Sequence, residues 1–323
     1  MVRTRLTRKE GSHRRLTLEK QLRYNIRVND NKLRRLHMFE LTKIIDDPSG
    51  IVSKLIFEGD GAVAEAVAYR YENRAVVCFS VQSGCPVGCK FCGTGSRFIR
   101  DLTTDEMNLQ ITEGLNVTGR GFAKTQIMSM SMGDPMLNWG PTQACAESQL
   151  DMGRDFFLST VGIVDLHAIK HIMALGMLHK GFGLQLSLHQ TKNRRQRLFR
   201  NPNLNYMTLD QLVAFGKQFT EATGKRAYFN YVAAKFDKGA ADWIVDNLGG
   251  MHVTFSTLCS STELVKGDAV PAQEMAAYVS HQSYDDVEIS VFDPEGQDNI
   301  GGGCGQLLFV QEKMNGFRGI END

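Results

Sequence analysis

The chain has 323 residues, with 37 Lys and Arg against 36 Asp and Glu, a formal net charge of +1, and 42% hydrophobic residues. That is long enough for one large α/β domain with a small appendage. No run of about 18 apolar residues could span a bilayer, and the charged N-terminus lacks the apolar stretch of a secretory signal. Seven cysteines, three of them in one short loop, point to a reducing compartment and metal chemistry rather than a disulfide framework. A cytoplasmic protein with no membrane partner is expected.

The balanced total hides an asymmetry. Residues 1–36 hold twelve Lys and Arg and three Asp and Glu, or +9, which leaves −8 for the rest. Leu18, Leu22 and Ile26 recur at helical spacing, which predicts an exposed basic helix. Such an arm is either a solvated tail or a set of phosphate contacts for a nucleic acid. Residues 38–46 are expected to continue as a short amphipathic helix, ended by the turn signal Asp47-Pro48-Ser49-Gly50. Residues 51–57 and 62–71, around Gly59-Asp60-Gly61, read as a β-hairpin, and the apolar run 75–81 reads as a strand. Buried strands are then expected over 126–132, 156–160, 183–188, 226–232, 251–255 and 287–292. Helices are expected between them, over 104–115, 141–152, 165–178, 208–223, 240–248 and 271–280. Alternation at this spacing calls for a parallel sheet. The expected fold is α/β, a partial (β/α)6 TIM-like barrel with an N-terminal β-hairpin and a basic N-terminal arm. The corresponding units are an arm over 1–47, a hairpin extension over 48–77, a barrel over 78–310 and a tail over 311–323.

In such barrels the chemistry collects in the loops that follow the strands. The loop after the first barrel strand is Cys85-Pro86-Val87-Gly88-Cys89-Lys90-Phe91-Cys92, three cysteines in a C-x-x-x-C-x-x-C pattern. Iron–sulfur clusters are normally held by four cysteines, so three clustered ligands suggest one iron left open for a substrate or cofactor. That is the signature of radical S-adenosylmethionine (SAM) chemistry. A zinc site would show a second Cys or His pair downstream, which is missing here; three unrelated buried thiols are the remaining alternative.

Later strand ends carry Ser131-Met132-Gly133-Asp134-Pro135, Ser159-Thr160-Val161-Gly162 and Ser187-Leu188-His189. Glycine lets backbone approach a ligand, a carboxylate accepts hydrogen bonds from an amino group, and hydroxyl and imidazole groups suit a ribose and a carboxylate. Each of these alone is equally a turn or a structural residue.

Together they resemble the RlmN/Cfr family of radical SAM RNA methyltransferases. That family carries C-x-x-x-C-x-x-C, G-M-G-E-P, S-T-x-G, S-L-H and C-G-Q-L elements in this order, the last matched by Cys304-Gly305-Gln306-Leu307. Cys78 stands seven residues before Cys85, as the family's resolving cysteine does, and Glu65 stands thirteen before Cys78, where the family has its acid/base glutamate. The resemblance covers about residues 57–308.

The resemblance implies a 4Fe-4S cluster on Cys85, Cys89 and Cys92, and SAM held by Gly133, Asp134, Ser159, Ser187, Leu188, His189 and Thr254. It also implies a reaction sequence that makes chemical sense, because an electrophilic adenine carbon cannot attack SAM whereas a thiolate can. Cys304 takes a methyl group from one SAM. A second SAM is cleaved reductively to a 5′-deoxyadenosyl radical, which removes hydrogen from the methylated Cys304, and the carbon radical adds to the base. Cys78 resolves the adduct, with Glu65 as the base. Apart from the spacing, Cys78 reads as a small buried strand residue and Glu65 as an exposed hairpin residue. The implied partners are RNA, either rRNA or tRNA, and an electron donor such as flavodoxin or ferredoxin. Alternatives are a divergent radical SAM methyltransferase acting on another RNA or a small molecule, and a non-catalytic cluster-containing RNA-binding protein.

The run Arg194, Arg195, Arg197, Arg200 is either a solvated helix face or a phosphate contact. Cys145 and Cys259 read as ordinary buried thiols. The chain departs from the family in four places. Asp134 replaces a glutamate, Thr254 stands where the family has an asparagine, and Asn299 replaces an aspartate near Cys304. The family's helical N-terminal domain is also shortened, with the basic arm in its place.

Overall fold

The computed structural model describes residues 38–119, 121–260, 267–284, 286–303 and 305–307, with backbone only at Arg195. The basic arm over 1–36, the tail over 311–323 and Cys304 lie outside the described residues. In chain order the strands are β1 (Glu40–Asp46), β2 (Val52–Gly59), β3 (Ala62–Arg70), β4 (Arg74–Cys78), β5 (Gln82–Gly84), β6 (Phe98–Asp101), β7 (Lys124–Ser129), β8 (Asp155–Thr160), β9 (Phe182–Ser187), β10 (Tyr228–Ala233), β11 (His252–Thr257) and β12 (Glu288–Phe292). The helices are α1 (Thr104–Thr118), α2 (Trp139–Asp151), α3 (Leu166–Leu178), α4 (Arg194–Arg197), α5 (Leu209–Thr223), α6 (Lys238–Asn247) and α7 (Val270–Ser283).

A ten-stranded sheet runs in the order β1-β2-β3-β4-β7-β8-β9-β10-β11-β12. The pairs from β1 to β4 are antiparallel, and every pair from β4 to β12 is parallel. The α/β alternation expected from the sequence is therefore present, as an open parallel barrel extended on one side by an antiparallel meander. Among the described residues no helix is long and apolar enough to cross a membrane.

Local chemistry explains the elements. Gly59 pairs with Ala62 across a two-residue loop, whose Asp60 and Gly61 sit at φ 49° and 70°, the left-handed geometry that a tight hairpin requires. Helices α1 and α5 each begin with a capping box, Thr103 with Glu106 and Thr208 with Gln211, which satisfies orphan N–H groups and adds about 1 kcal/mol each. One expectation fails. Residues 38–46 contain not a helix but β1, paired antiparallel with β2. The β-branched Thr42, Ile44 and Ile45 prefer extended backbone, and the edge of β2 supplies the hydrogen bonds that an isolated helical turn would lack.

The parallel strands alternate with period two. Phe156, Leu158, Leu184, Leu186, Phe229, Val253 and Phe255 point outward and belong to the main hydrophobic core. The intervening positions, such as Ser159, Gln185, Ser187, Asn230 and Thr254, line the interior. A closed barrel fills its interior with apolar layers; here the lumen is an open cavity lined by both polar and apolar side chains.

Candidate active site

The cysteine loop is bracketed by two short strands. β5 leads in and β6 leads out, and they pair antiparallel, so the base of the loop is fixed. Its outer flank is tied to the segment after β9. Cys89 bridges Phe199, Lys90 N donates to Leu198 O at 2.9 Å, and Arg200 N donates to Gly88 O at 3.0 Å. Gly88 makes the turn at φ 66°. Its far end meets the C-terminal segment, where Gly93 N donates to Gly305 O at 2.8 Å and Thr94 Oγ1 to Leu307 O at 3.2 Å.

All three thiols line one cavity of about 690 Å³. Burial first, then the Cys92 thiol, pushes Cys85 up to about 12. Burial, then Cys92 and Cys85, pushes Cys89 well above the ordinary thiol value. Cys85 and Cys89 are thus held as thiols, and a cationic centre in place of their protons is what would draw them to ionise. Among the described residues, no three His, Cys, Asp or Glu side chains converge on a single metal ion. Three cysteines spaced within one loop, with no second Cys or His pair at zinc spacing in the sequence, are the donor set of an iron–sulfur cluster with one open iron rather than of a structural zinc site.

The same cavity takes in Cys78, Gly133, Asp134, Ser159, Ser187, His189 and Thr254. Cys78 ends β4, and burial pushes its thiol up to about 12. Gly133, at φ 95°, has no room for a side chain, since a Cβ there would lie 2.6 Å from Cβ of Gln82. Asp134 does not present an open carboxylate. It accepts from Met136 N at 3.0 Å, from Thr160 Oγ1 at 2.9 and 3.0 Å and from Val161 N at 2.8 Å. These bonds nearly exhaust its acceptor sites, so it braces two strand ends. Burial raises its pKa to about 6, against the lowering effect of those bonds.

His189 holds a left-handed backbone, φ 48°, and its ring meets Phe91 edge-on at 5.2 Å. Its Nδ1 accepts from Val232 N at 3.1 Å, which assigns the neutral ring's proton to Nε2. Burial, then the Arg194 charge, pushes its pKa down to about 3. Thr254 Oγ1 pairs with Ser290 Oγ at 3.0 Å, and neighbouring Asn230 accepts from Ser256 Oγ at 2.8 Å through Oδ1. Leu188 is different. Its side chain is buried in the core, its N–H donates to Asn230 O at 2.8 Å and its carbonyl accepts from Arg194 Nε at 3.0 Å, so it does not line the cavity.

Glu65 is not the exposed hairpin residue that its local sequence suggests. It is buried and ion-paired, with Lys54 Nζ 2.7 Å from its Oε2, and Lys54 also donates to Gly301 O at 3.1 Å. The pair lies outside the cavity wall, beneath the segment that carries Gly302 and Gly303 into it. Asn299, where the family has aspartate, donates to Asp47 at 2.7 Å; two carboxylates there would repel. Cys145 and Cys259 are buried at 0% and 2% exposure. Arg197 and Arg200 are exposed, whereas Arg194 is neither a solvated face nor a phosphate contact, because it is buried.

Sequence reasoning missed Lys54 and Asn230, quoted Thr160 only as part of a motif, and gave Arg194 a different role. Asn230 did leave a signal, as a polar residue inside the apolar strand Tyr228–Ala233; Arg194 was camouflaged by the arginines beside it.

An open parallel barrel with three cysteines on the loop after its first strand, facing a cavity in the lumen, defines an enzyme of the radical SAM class. No protein-family model matches the chain. It is 31% identical over 262 residues to the probable dual-specificity RNA methyltransferase RlmN of Thermotoga neapolitana, covering 77% of this chain and 73% of that protein. The corresponding protein of Streptomyces coelicolor is 29% identical over 269 residues, covering 77% and 71%. A solved radical SAM methyltransferase from Sphaerobacter thermophilus shares the fold, with a TM-score of 0.71 at 24% identity over 84% of this chain and 82% of that one. The chain belongs to the RlmN-type family of radical SAM methyltransferases. Membership of that family implies a 4Fe-4S cluster and SAM.

Proposed function

We propose that the protein methylates an adenine carbon of RNA through an S-methylcysteine at Cys304, using two SAM molecules per turnover. One observation carries the reading: a single cavity takes in the three loop cysteines, Cys78 from β4, and Gly303 and Gly305 on either side of Cys304. A protein that only bound a cluster would need neither Cys78 nor Cys304.

When bound, the cluster and SAM supply a radical able to abstract hydrogen from a methyl group. The remaining work falls to side chains. Cys304 is the nucleophile that accepts the methyl group, and its neighbour Gly305 is hydrogen-bonded to the end of the cysteine loop. Cys78 starts as a protonated thiol, because burial raises its pKa to about 12; once deprotonated it attacks the Cys304 sulfur, so that an S–S bond forms as the S–CH2 bond breaks and the carbon leaves with the base, and the reductant then reopens the disulfide. Glu65, carried over from the family as the base, is ion-paired with Lys54 outside the cavity, so taking the proton released from the substrate requires the Gly301–Gly303 segment above it to move. Gly133, Ser159, Ser187, His189 and Thr254 surround SAM, with Leu188 packed in the core behind them and Asp134 fixing the strand ends. The RNA is rRNA or tRNA, the reductant is a flavodoxin- or ferredoxin-like donor, and the reaction takes place in the cytoplasm.

The test is anaerobic reconstitution followed by incubation with methyl-labelled SAM, reductant and RNA. Mössbauer spectroscopy should show a 4Fe-4S centre that each of Cys85→Ala, Cys89→Ala and Cys92→Ala loses, and mass spectrometry of RNA digests should show labelled methyladenosine. Stoichiometric zinc in place of iron would end the reading. Label on Cys304 with none on RNA would move the substrate to a small molecule.

A further inference from the structure

Arg194 opens the four-residue helix α4 and is 4% exposed. Its guanidinium donates from Nε to Leu188 O at 3.0 Å and from Nη2 to Val161 O at 2.9 Å and Ser187 O at 2.5 Å. It also stands over the Phe199 ring, 5.3 Å from the centroid. Nη1 is buried and has no hydrogen-bond partner among the described residues. Every acceptor it uses is a neutral carbonyl. Carbonyls satisfy N–H groups but leave the net charge uncompensated, and a buried ion without a counter-ion costs several kcal/mol.

Burial is the largest influence on the Arg194 pKa, lowering it to about 10, so the group stays charged at neutral pH; Cys89 acts in the opposite direction. Geometry sets the group beside the loop: Phe199, whose ring it covers, bridges Cys89, and Leu198 and Arg200 are hydrogen-bonded to the same loop. A buried carboxylate, Asp134, accepts from Val161 N while Arg194 donates to Val161 O, but no ion pair joins the two among the described residues. Three thiolates on an iron–sulfur core carry a net negative charge, and reduction adds one more.

We infer that Arg194 is the built-in counter-charge of the three-cysteine cluster: its buried guanidinium favours the reduced state and sets the potential at which the centre accepts an electron. Cluster potentials respond to net charge and to burial. A unit charge at this depth acts through a low effective dielectric, which is enough to shift a redox equilibrium on the order of tenfold. The inference rests on the cluster reading given above. It adds a positioning charge that acts on the cluster, without making Arg194 a ligand or a catalytic residue.

The experiment is an EPR-monitored redox titration of the reconstituted full chain without SAM, comparing wild type with Arg194→Met, Arg194→Gln and Arg194→Lys, with iron and sulfide counted for each. If Arg194→Met and Arg194→Gln load the cluster, they should hold roughly tenfold less reduced centre at a fixed ambient potential, which is about 59 mV for one electron. Arg194→Lys keeps the charge while losing the planar fork that reaches three carbonyls, and should stay near wild type. If the neutral variants fail to load, loading in Arg194→Lys alone supports the charge role, whereas failure of all three assigns Arg194 to holding the loop and overturns the inference. Loaded neutral variants that titrate at the wild-type potential also overturn it. A wild-type chain that takes up no 4Fe-4S centre overturns the cluster reading itself, a separate result.

Discussion

Lys54 Nζ lies 2.7 Å from Glu65 Oε2, and both side chains are withdrawn from solvent, at 1% and 0% exposure. The two residues occupy neighbouring positions on one face of β2 and β3, with Lys54 opposite Val67 and Glu65 opposite Ile56. Removing one partner of a buried pair leaves the other charge uncompensated, which costs about 3–5 kcal/mol, whereas replacing both with apolar groups of similar volume is often nearly neutral.

Lys54→Met should therefore destabilise the protein by about 3–5 kcal/mol, and Lys54→Met combined with Glu65→Leu by clearly less than the sum of the single changes. Urea unfolding of the two single variants and the double variant measures the coupling. Additive losses would mean that the pair is an accident of packing.

The two cysteines that cluster binding does not require should fail in different ways. Cys304→Ala should abolish both methyl transfer to the protein and all product. Cys78→Ala should still load the methyl group and should trap RNA covalently on Cys304, because the first thiol begins the sequence and the second finishes it. Intact-mass measurement and denaturing gels separate the two outcomes. Normal turnover by Cys78→Ala would remove it from the mechanism, even though it lines the same cavity.

His189 gives the protein a pH dependence of predictable sign. Its folded pKa is lowered to about 3 from an ordinary value of 6.5, so below pH 6.5 the unfolded chain binds a proton that the folded one refuses, and stability falls with acid. Between pH 6.5 and 5 this amounts to about 2 kcal/mol as an upper figure. Asp134 acts in the opposite direction, since its folded pKa is raised to about 6. A His189→Asn variant retains Asp134 and tolerates the left-handed backbone, so the difference between variant and wild type isolates the histidine. Chemical unfolding at pH 7 and pH 5 should show a smaller loss for the variant; equal losses would mean that the ring is protonated in the fold.

The basic arm over residues 1–36 carries a net +9. Its deletion should weaken RNA binding and flatten the salt dependence, since each lost phosphate contact removes roughly 0.7–0.9 from the log-log slope. Filter binding across a salt series reads this directly. An unchanged slope would assign the arm to a tail or to a protein partner.

Much of this molecule was legible without coordinates, because its signals are local. The spacing of Cys85, Cys89 and Cys92 names a ligand loop whatever surrounds it, and the period-two strands between capped helices force a parallel sheet. The segment over residues 38–46 was misread because its strand character depends on a partner: β1 takes its hydrogen bonds from β2, a neighbour that no short window contains. The same reason hid the electrostatics. Lys54 and Glu65 are eleven positions apart and look like hairpin surface until the sheet and the Gly301–Gly303 segment cover them. Asp134 reads as a ligand for an amino group until Thr160 and Val161 arrive from the next strand to occupy it. Arg194 is one arginine among several until the carbonyls of Val161, Ser187 and Leu188 and the Phe199 ring enclose it. Sequence spacing determined which side chains could ligate, because ligation within one loop is a short-range property. Which charges are buried and what opposes them depends on desolvation, and desolvation exists only once distant segments have packed.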